Sequence, residues 1–320
     1  MKELSVPSED TDCLIVGAGP AGLSAALRLC RLGVSCLVLE GGDQLGDELR
    51  RINLPIRDFL GCSAENGRAL LATIEAAKAE GRLPVRLSCC VEALSLEDKR
   101  LVTSSGSLQA RAMILAMGLR RRVLELPGEA ECRKRGVSLS GTTDLPAIGS
   151  GPVAVVGGGD GALENALILA EQCSRVHLVH RGSSLRAQPH LVERVAGHER
   201  IQLWLDSQVL QLHGADGQLT SLDLGTPSGR QSLVVPWLVV KIGFEPNTQI
   251  LRSGPIELDG AGYVVVDRNL HTSVPGVFAA GDLSNPRSPS IAAAVGDGAV
   301  AAKEAARYLW ARPCPTCPTR

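Results

Sequence analysis

Two glycine-rich segments and one cysteine pair hold the residues best suited to chemistry. The first segment, Gly17-Ala18-Gly19-Pro20-Ala21-Gly22, follows the apolar run Cys13-Leu14-Ile15-Val16. The second, Gly157-Gly158-Gly159-Asp160-Gly161-Ala162, follows Val153-Ala154-Val155-Val156 and lies 140 residues further on. In each, the first glycine makes a tight strand-to-helix turn and the second lets the backbone approach a pyrophosphate. The third position, Gly22 or Ala162, lets helix and strand pack closely. The phosphates then sit at the positive end of a helix. Glu40 closes the run Cys36-Leu37-Val38-Leu39, 18 residues past Gly22, where a ribose hydroxyl needs an acceptor. Two such sites in one chain imply two dinucleotides and electron passage between them.

The cysteine pair is Cys314-Pro315-Thr316-Cys317, a C-x-x-C in the last seven residues. Thiol exchange needs an exposed, mobile cysteine of low pKa, and a terminal segment flanked by Pro313 and Pro318 suits it. A zinc site needs four ligands and no second ligand pair stands nearby, so no metal is expected. Most of the ten cysteines read as structural. Cys13 and Cys36 lie in buried strand patterns, and Cys30 and Cys173 in helical ones. Cys89-Cys90 close a strand. Cys62 and Cys132 fall in loops, and the sequence assigns them no role.

The elements around these residues are legible. Residues 12–40 read as strand, helix, strand, and 66–81 as a helix with Leu70, Leu71, Ile74 and Ala77 on one face. Ile114-Leu115-Ala116-Met117-Gly118 reads as a strand ending in glycine. A second strand–helix–strand unit starts at Val153, and hairpins follow it. The region 262–282 reads as a hairpin and then a strand, and a last helix runs over 290–310. The fold class is therefore α/β, with two Rossmann-like, three-layer nucleotide-binding domains, the second inserted into the first. The expected boundaries are 1–126 with 244–320 for the first domain and 127–243 for the second.

The composition supports a large core, with 44% hydrophobic residues among 320. A net charge of −1 points away from nucleic acid and anionic membrane surfaces. No apolar run reaches transmembrane length. The polar, acidic N-terminus has no signal-peptide pattern, so a cytoplasmic location is expected.

The motifs, in this order and over nearly the whole chain, resemble the low-molecular-weight thioredoxin reductase family. The run Thr272-Ser273-Val274-Pro275-Gly276-Val277-Phe278-Ala279-Ala280-Gly281-Asp282 matches a family signature. The resemblance implies FAD at the first fingerprint, held by Gly17, Gly19, Pro20, Ala21, Gly22, Glu40, Gln44, Leu45, Asn53, Val91, Ala116, Met117, Gly118, Gly281, Asp282, Ser290 and Ile291. It implies a nicotinamide dinucleotide, or a second FAD, at Gly157, Gly159, Asp160, Ala162, His180, Arg181, Arg186, Ile242 and Gly243. It also implies a thioredoxin-like or other dithiol protein as partner, while the short reach of Cys314 and Cys317 beyond the last helix points to a homodimer in which the tail crosses.

The departures from the family pattern are informative. The family's central Cys-Ala-Thr-Cys is replaced by Ser140-Gly141-Thr142-Thr143, whose hydroxyls take no electrons from a flavin. The family's His-Arg-Arg-x-x-x-Arg becomes His180-Arg181-Gly182-Ser183-Ser184-Leu185-Arg186, one guanidinium short. An Arg–phosphate contact contributes about 1.5–3 kcal/mol, so NADP preference is expected to weaken. Pro289-Ser290 replaces Arg-Gln before the last helix. The expected catalytic pair is then Cys314 and Cys317, exchanging electrons between flavin and a protein partner. With these departures the chain resembles the cyanobacterial diflavin-linked disulfide oxidoreductases more than the ordinary NADPH enzymes of the family. A ferredoxin or flavodoxin–NADP reductase, and a non-catalytic nucleotide-binding redox sensor, are the alternatives.

Overall fold

The computed structural model describes residues 11–53, 55–60, 63–133, 135–287 and 289–312. The chain divides into two compact units, Met1–Arg120 with Glu245–Arg320, and Arg121–Phe244. Leu124 and Leu126, expected in the first domain, instead pack on the buried cluster of the second unit.

The first unit is built on a five-stranded sheet. Its order is Val277–Ala279, Ala112–Leu115, Cys13–Val16, Cys36–Leu39, Val85–Arg86, with every pair parallel. The strands Val277–Ala279, Ala112–Leu115, Cys13–Val16 and Cys36–Leu39 are apolar and buried at every position because both faces are covered, and the edge strand Val85–Arg86 carries the one charged residue. Cys13, Ile15, Ala112 and Ile114 face the helices Pro20–Arg31, Gly67–Ala79 and Ile291–Trp310. The alternate residues Leu14, Val16, Met113 and Leu115 face an antiparallel layer formed by Val91–Ser95, Arg100–Thr103 and Gly106–Gln109. Small residues bring the first and last helices together. A Cβ on Gly298 would stand 2.1 Å from the Ala21 carbonyl oxygen, and Ser24 Oγ donates to Val295 O at 2.7 Å.

The second unit repeats the plan. Its parallel sheet runs Ile201–Trp204, Arg175–Val179, Pro152–Val156, Leu238–Val240, Val137–Ser138. Val153 and Val155 pack on the helices Asp160–Gln172 and Pro189–Ala196. Ala154 and Val156 pack on the antiparallel layer of Gln208–Ala215, Gln218–Thr226 and Gly229–Leu233. The molecule thus has two Rossmann-like domains, with the second between two segments of the first.

Within 262–282 the expected strand forms as Val277–Ala279, while the hairpin expected before it is reduced to isolated bridges, Leu258 to Val264 and His271 to Phe278. Asp259 and Asp267 are the cause. Asp259 Oδ1 accepts from Ala261 N and Tyr263 N, and Asp267 Oδ1 from Asn269 N and His271 N. These local turns compete with ladder formation. Cys89 and Cys90 precede the strand Val91–Ser95 and do not end one. Among the described residues no helix is long and apolar enough to cross a membrane.

Candidate functional site

In each unit the glycine turn, Gly17–Gly22 or Gly157–Ala162, lies at the carboxyl end of a parallel strand where the strand order reverses. That crevice is the ligand position in open α/β sheets. In the first unit it opens between Cys13–Val16 and Ala112–Leu115. Gly17 turns there with φ +106°, and a Cβ on it would lie 2.3 Å from the Ala116 carbonyl oxygen. A Cβ on Gly22 would lie 1.9 Å from Gly17 O, so both positions require glycine. At Gly19, by contrast, no atom stands within 4 Å of an added Cβ. The helix begins at Pro20 with no side chain capping it. Its first N–H groups therefore border open space of the kind a phosphate fills.

Glu40 braces this turn. Its Oε2 accepts from Ala18 N at 2.8 Å and its Oε1 from Gly42 N at 2.9 Å. Gly46 N donates to Ala18 O, which draws the 44–53 segment alongside. Within that segment Gln44 and Asn53 are exposed, whereas Leu45 is 2% exposed and belongs to the core. Val91 is half-buried against the antiparallel-layer cluster. Asn247 Nδ2 donates to Met117 O at 2.8 Å and Asn247 N to Gly118 O at 3.1 Å, fixing the Ala116–Gly118 strand end. Gly281, at φ +73°, turns beside Ala21, and its N–H donates to Asp297 Oδ2 at 3.2 Å. Asp282 follows it. Burial pushes its carboxyl above the usual range, and the neighbouring charges of Asp297 and Glu48 push it further. Ser290 Oγ caps the last helix by accepting from Ala293 N, with Ile291 in the first turn.

The second crevice is a cleft of about 740 Å³ within the second unit. Gly157, at φ +148°, closes against the Lys241 carbonyl oxygen, 2.2 Å from an added Cβ. This repeats the Gly17–Ala116 relation one domain later. Gly159 again faces open space. His180 is buried beneath Gly158, and burial, aided by repulsion from Arg186 and Arg181, holds its imidazole below the usual range. Arg186 N donates to Gly158 O at 2.7 Å, so the 181–186 loop is tied to the fingerprint. Asp160 is engaged by Gln188, whose N–H and Nε2 donate to it at 2.7 and 3.0 Å. Ala162, Ile242 and Gly243 line the cleft.

Three further basic residues line the same cleft, Arg121, Arg122 and Lys241. With Arg181 and Arg186 they oppose the carboxylate of Asp160, which suits a polyanion. Lys241 sits at the start of the helix Asp160–Gln172. Its Cε lies 3.4 Å and its Nζ 3.9 Å from a Cβ built on Gly161. Sequence reasoning missed it. The available signal was a lysine directly after the buried strand Leu238–Val240.

The thiols are distributed differently from expectation. Cys132, expected in a loop, is fully buried in the short helix Glu129–Cys132, and burial raises its thiol pKa. Cys30, expected to be structural, is exposed. Cys314, Cys317 and Cys62 lie outside the described residues. At the position of the missing central pair, Ser140 Oγ accepts from Thr143 Oγ1 at 3.1 Å. Among the described residues no group of His, Cys, Asp and Glu could hold a metal ion.

Two Rossmann-like domains, each with a glycine turn at its switch point, are the architecture of thioredoxin reductase-like oxidoreductases. Residues 11–298 match the family model for pyridine nucleotide-disulphide oxidoreductases. The chain belongs to that family. It is 36% identical to a thioredoxin reductase of Mycolicibacterium smegmatis, over 93% of this chain and 96% of the relative. It is 35% identical to a bifunctional thioredoxin reductase/thioredoxin of Mycobacterium leprae, over 93% of this chain and 66% of that protein. The thioredoxin reductase of Lactococcus lactis superposes with a TM-score of 0.82 at 29% identity, covering 93% of this chain and 98% of that one. The chain is thus a thioredoxin reductase-like oxidoreductase of the disulfide class.

Proposed function

We propose that this protein is an FAD-dependent disulfide oxidoreductase whose redox dithiol is Cys314/Cys317. The observation that carries the reading is the pairing of two intact dinucleotide cradles with hydroxyls, Ser140 and Thr143, in place of the central thiols. FAD fits the first cradle because Gly19 leaves phosphate-sized space at an uncapped helix start and Glu40 stands at the ribose position. When bound there, FAD supplies two-electron storage between the two substrates. Asp282 and the Ser290-capped helix would orient it, and the Ala116–Gly118 strand end would wall it on one side.

The second cleft takes a nicotinamide dinucleotide or a second FAD. Its five basic side chains favour the more highly phosphorylated NADPH. The overall reaction oxidises one NAD(P)H to NAD(P)+ and reduces one protein disulfide, with one proton from solvent, to two thiols. The partner is a thioredoxin-like protein, consistent with the names of the relatives. We also take the protein to be cytoplasmic and a homodimer, in which the tail dithiol reaches the partner subunit's flavin. A ferredoxin or flavodoxin reductase is the second reading, favoured by the loss of both central sulfurs.

The test is the amount of FAD released per polypeptide on denaturing freshly purified protein. About one FAD per chain is expected if the second cleft serves NAD(P)H. About two would assign a flavin to both cradles, and none would overturn the flavoprotein reading.

A further inference from the structure

Away from the first unit's cradle, at the opposite end of the same sheet, two thiols meet. Cys30 lies in the last turn of the helix Pro20–Arg31 and Cys36 opens the strand Cys36–Leu39. Their Sγ atoms are 3.9 Å apart. Cys30 is exposed, while Cys36 is 5% exposed. The backbone between them is fixed. Leu32 N, Gly33 N and Val34 N all donate back to helix carbonyls, and Gly33 turns the chain at φ +72°. A disulfide of about 2.05 Å needs the sulfurs to approach by about 1.9 Å, within the range of side-chain rotation.

We propose that Cys30 and Cys36 form a reversible dithiol–disulfide site that reacts with low-molecular-weight disulfides. The Cys30 thiolate attacks one sulfur of a disulfide RSSR. The Cys30–SR bond forms, the S–S bond of the reagent breaks and RS− leaves. Cys36 loses its proton to solvent and attacks the Cys30 sulfur, releasing the second RS−. Both leaving thiolates take up protons. Two protein thiols are thereby oxidised and one RSSR is reduced to two RSH.

The geometry divides the roles. The accessible sulfur is the nucleophile and the buried one resolves the mixed disulfide. The hydrogen bond between the two sulfurs brings the Cys30 thiol down to about 7, and the same bond together with burial pushes Cys36 up. The site is separate from the dinucleotide cradle. Ten residues of helix separate Pro20 from Cys30, about 15 Å along the axis.

The experiment treats the reduced full-length protein with excess oxidised glutathione, quenches in acid, blocks remaining thiols by alkylation in denaturant and maps tryptic peptides by mass. Cleavage at Arg31 separates the two cysteines, so their disulfide appears as a linked peptide pair. The expected result is that linked pair in the wild type and glutathione retained on Cys30 in Cys36→Ala. Cys30→Ser, an exposed substitution, is expected to leave residue 36 alkylatable. A stable glutathione adduct on Cys30 in the wild type would overturn the proposal. So would full alkylation of both cysteines after the treatment.

Discussion

Thr143 donates a hydrogen bond to Ser140 at 3.1 Å, oxygen to oxygen. The turn that carries them is tightly held. Ser140 N donates to Ser138 Oγ, Ser138 Oγ to Asp144, and Gly141 N to Asn165. The backbone thus still presents residues 140 and 143 as a close pair, although neither side chain is redox-active.

It follows that Ser140→Cys/Thr143→Cys should restore a bridgeable pair. Mild oxidation of the double variant should remove two titratable thiols relative to its reduced form, beyond any removed in the wild type. An unchanged thiol difference would show that the turn no longer supports disulfide geometry.

The two glycines of the first cradle should separate stability from binding. Gly17→Ala forces a side chain into φ +106° and against Ala116 O. It should lower unfolding free energy by about 2 kcal/mol or more in urea titration. Gly19→Ala meets open space. Its stability should stay within about 0.5 kcal/mol of wild type. Its flavin should nevertheless be lost readily on dialysis, because the methyl occupies the phosphate position.

Lys241 should strengthen binding in the second cleft. Lys241→Gln should weaken the dinucleotide's affinity by roughly tenfold, the scale of one charge-assisted contact, in an equilibrium titration. Conversely Gly182→Arg should raise the preference for NADPH over NADH, though its Cβ would press on His180 Nε2 at 3.1 Å.

Asp282 gives a pH-dependent signature in the flavin-free protein. Its folded pKa is raised above 3.8 by burial and by Asp297 and Glu48. Its contribution to stability is therefore greatest below the unfolded pKa and is lost as pH rises through the folded one. Flavin-free Asp282→Asn should melt above the wild type at pH 7, and the gap should close as pH approaches 4. A gap independent of pH would contradict this account of the carboxylate.

The cradles were legible because their physics is local. A glycine at 17 or 157 is demanded by its φ and by a carbonyl across the switch point, and apolar runs flank each turn. Glu40 was legible by spacing from Gly22. Lys241 was not, because its approach to Gly161 depends on Leu238–Val240 lying beside Pro152–Val156, and Arg121 and Arg122 were not, because they reach the cleft from a separate segment. Sequence pattern does not carry that order. Cys30 and Cys36 were hidden differently. Helical and strand patterns placed each in the core by type, but the last turn of the helix leaves Cys30 at the surface. Leu45, read from the sequence beside the cofactor, places its side chain in the core.

The central claim is that the working dithiol is Cys314/Cys317. Its most direct test is steady-state reduction of a thioredoxin disulfide by Cys314→Ser/Cys317→Ser, with flavin content measured on the same sample. The predicted result is loss of disulfide reduction with FAD content unchanged. Undiminished turnover in the double variant would contradict the claim and move the search to another thiol.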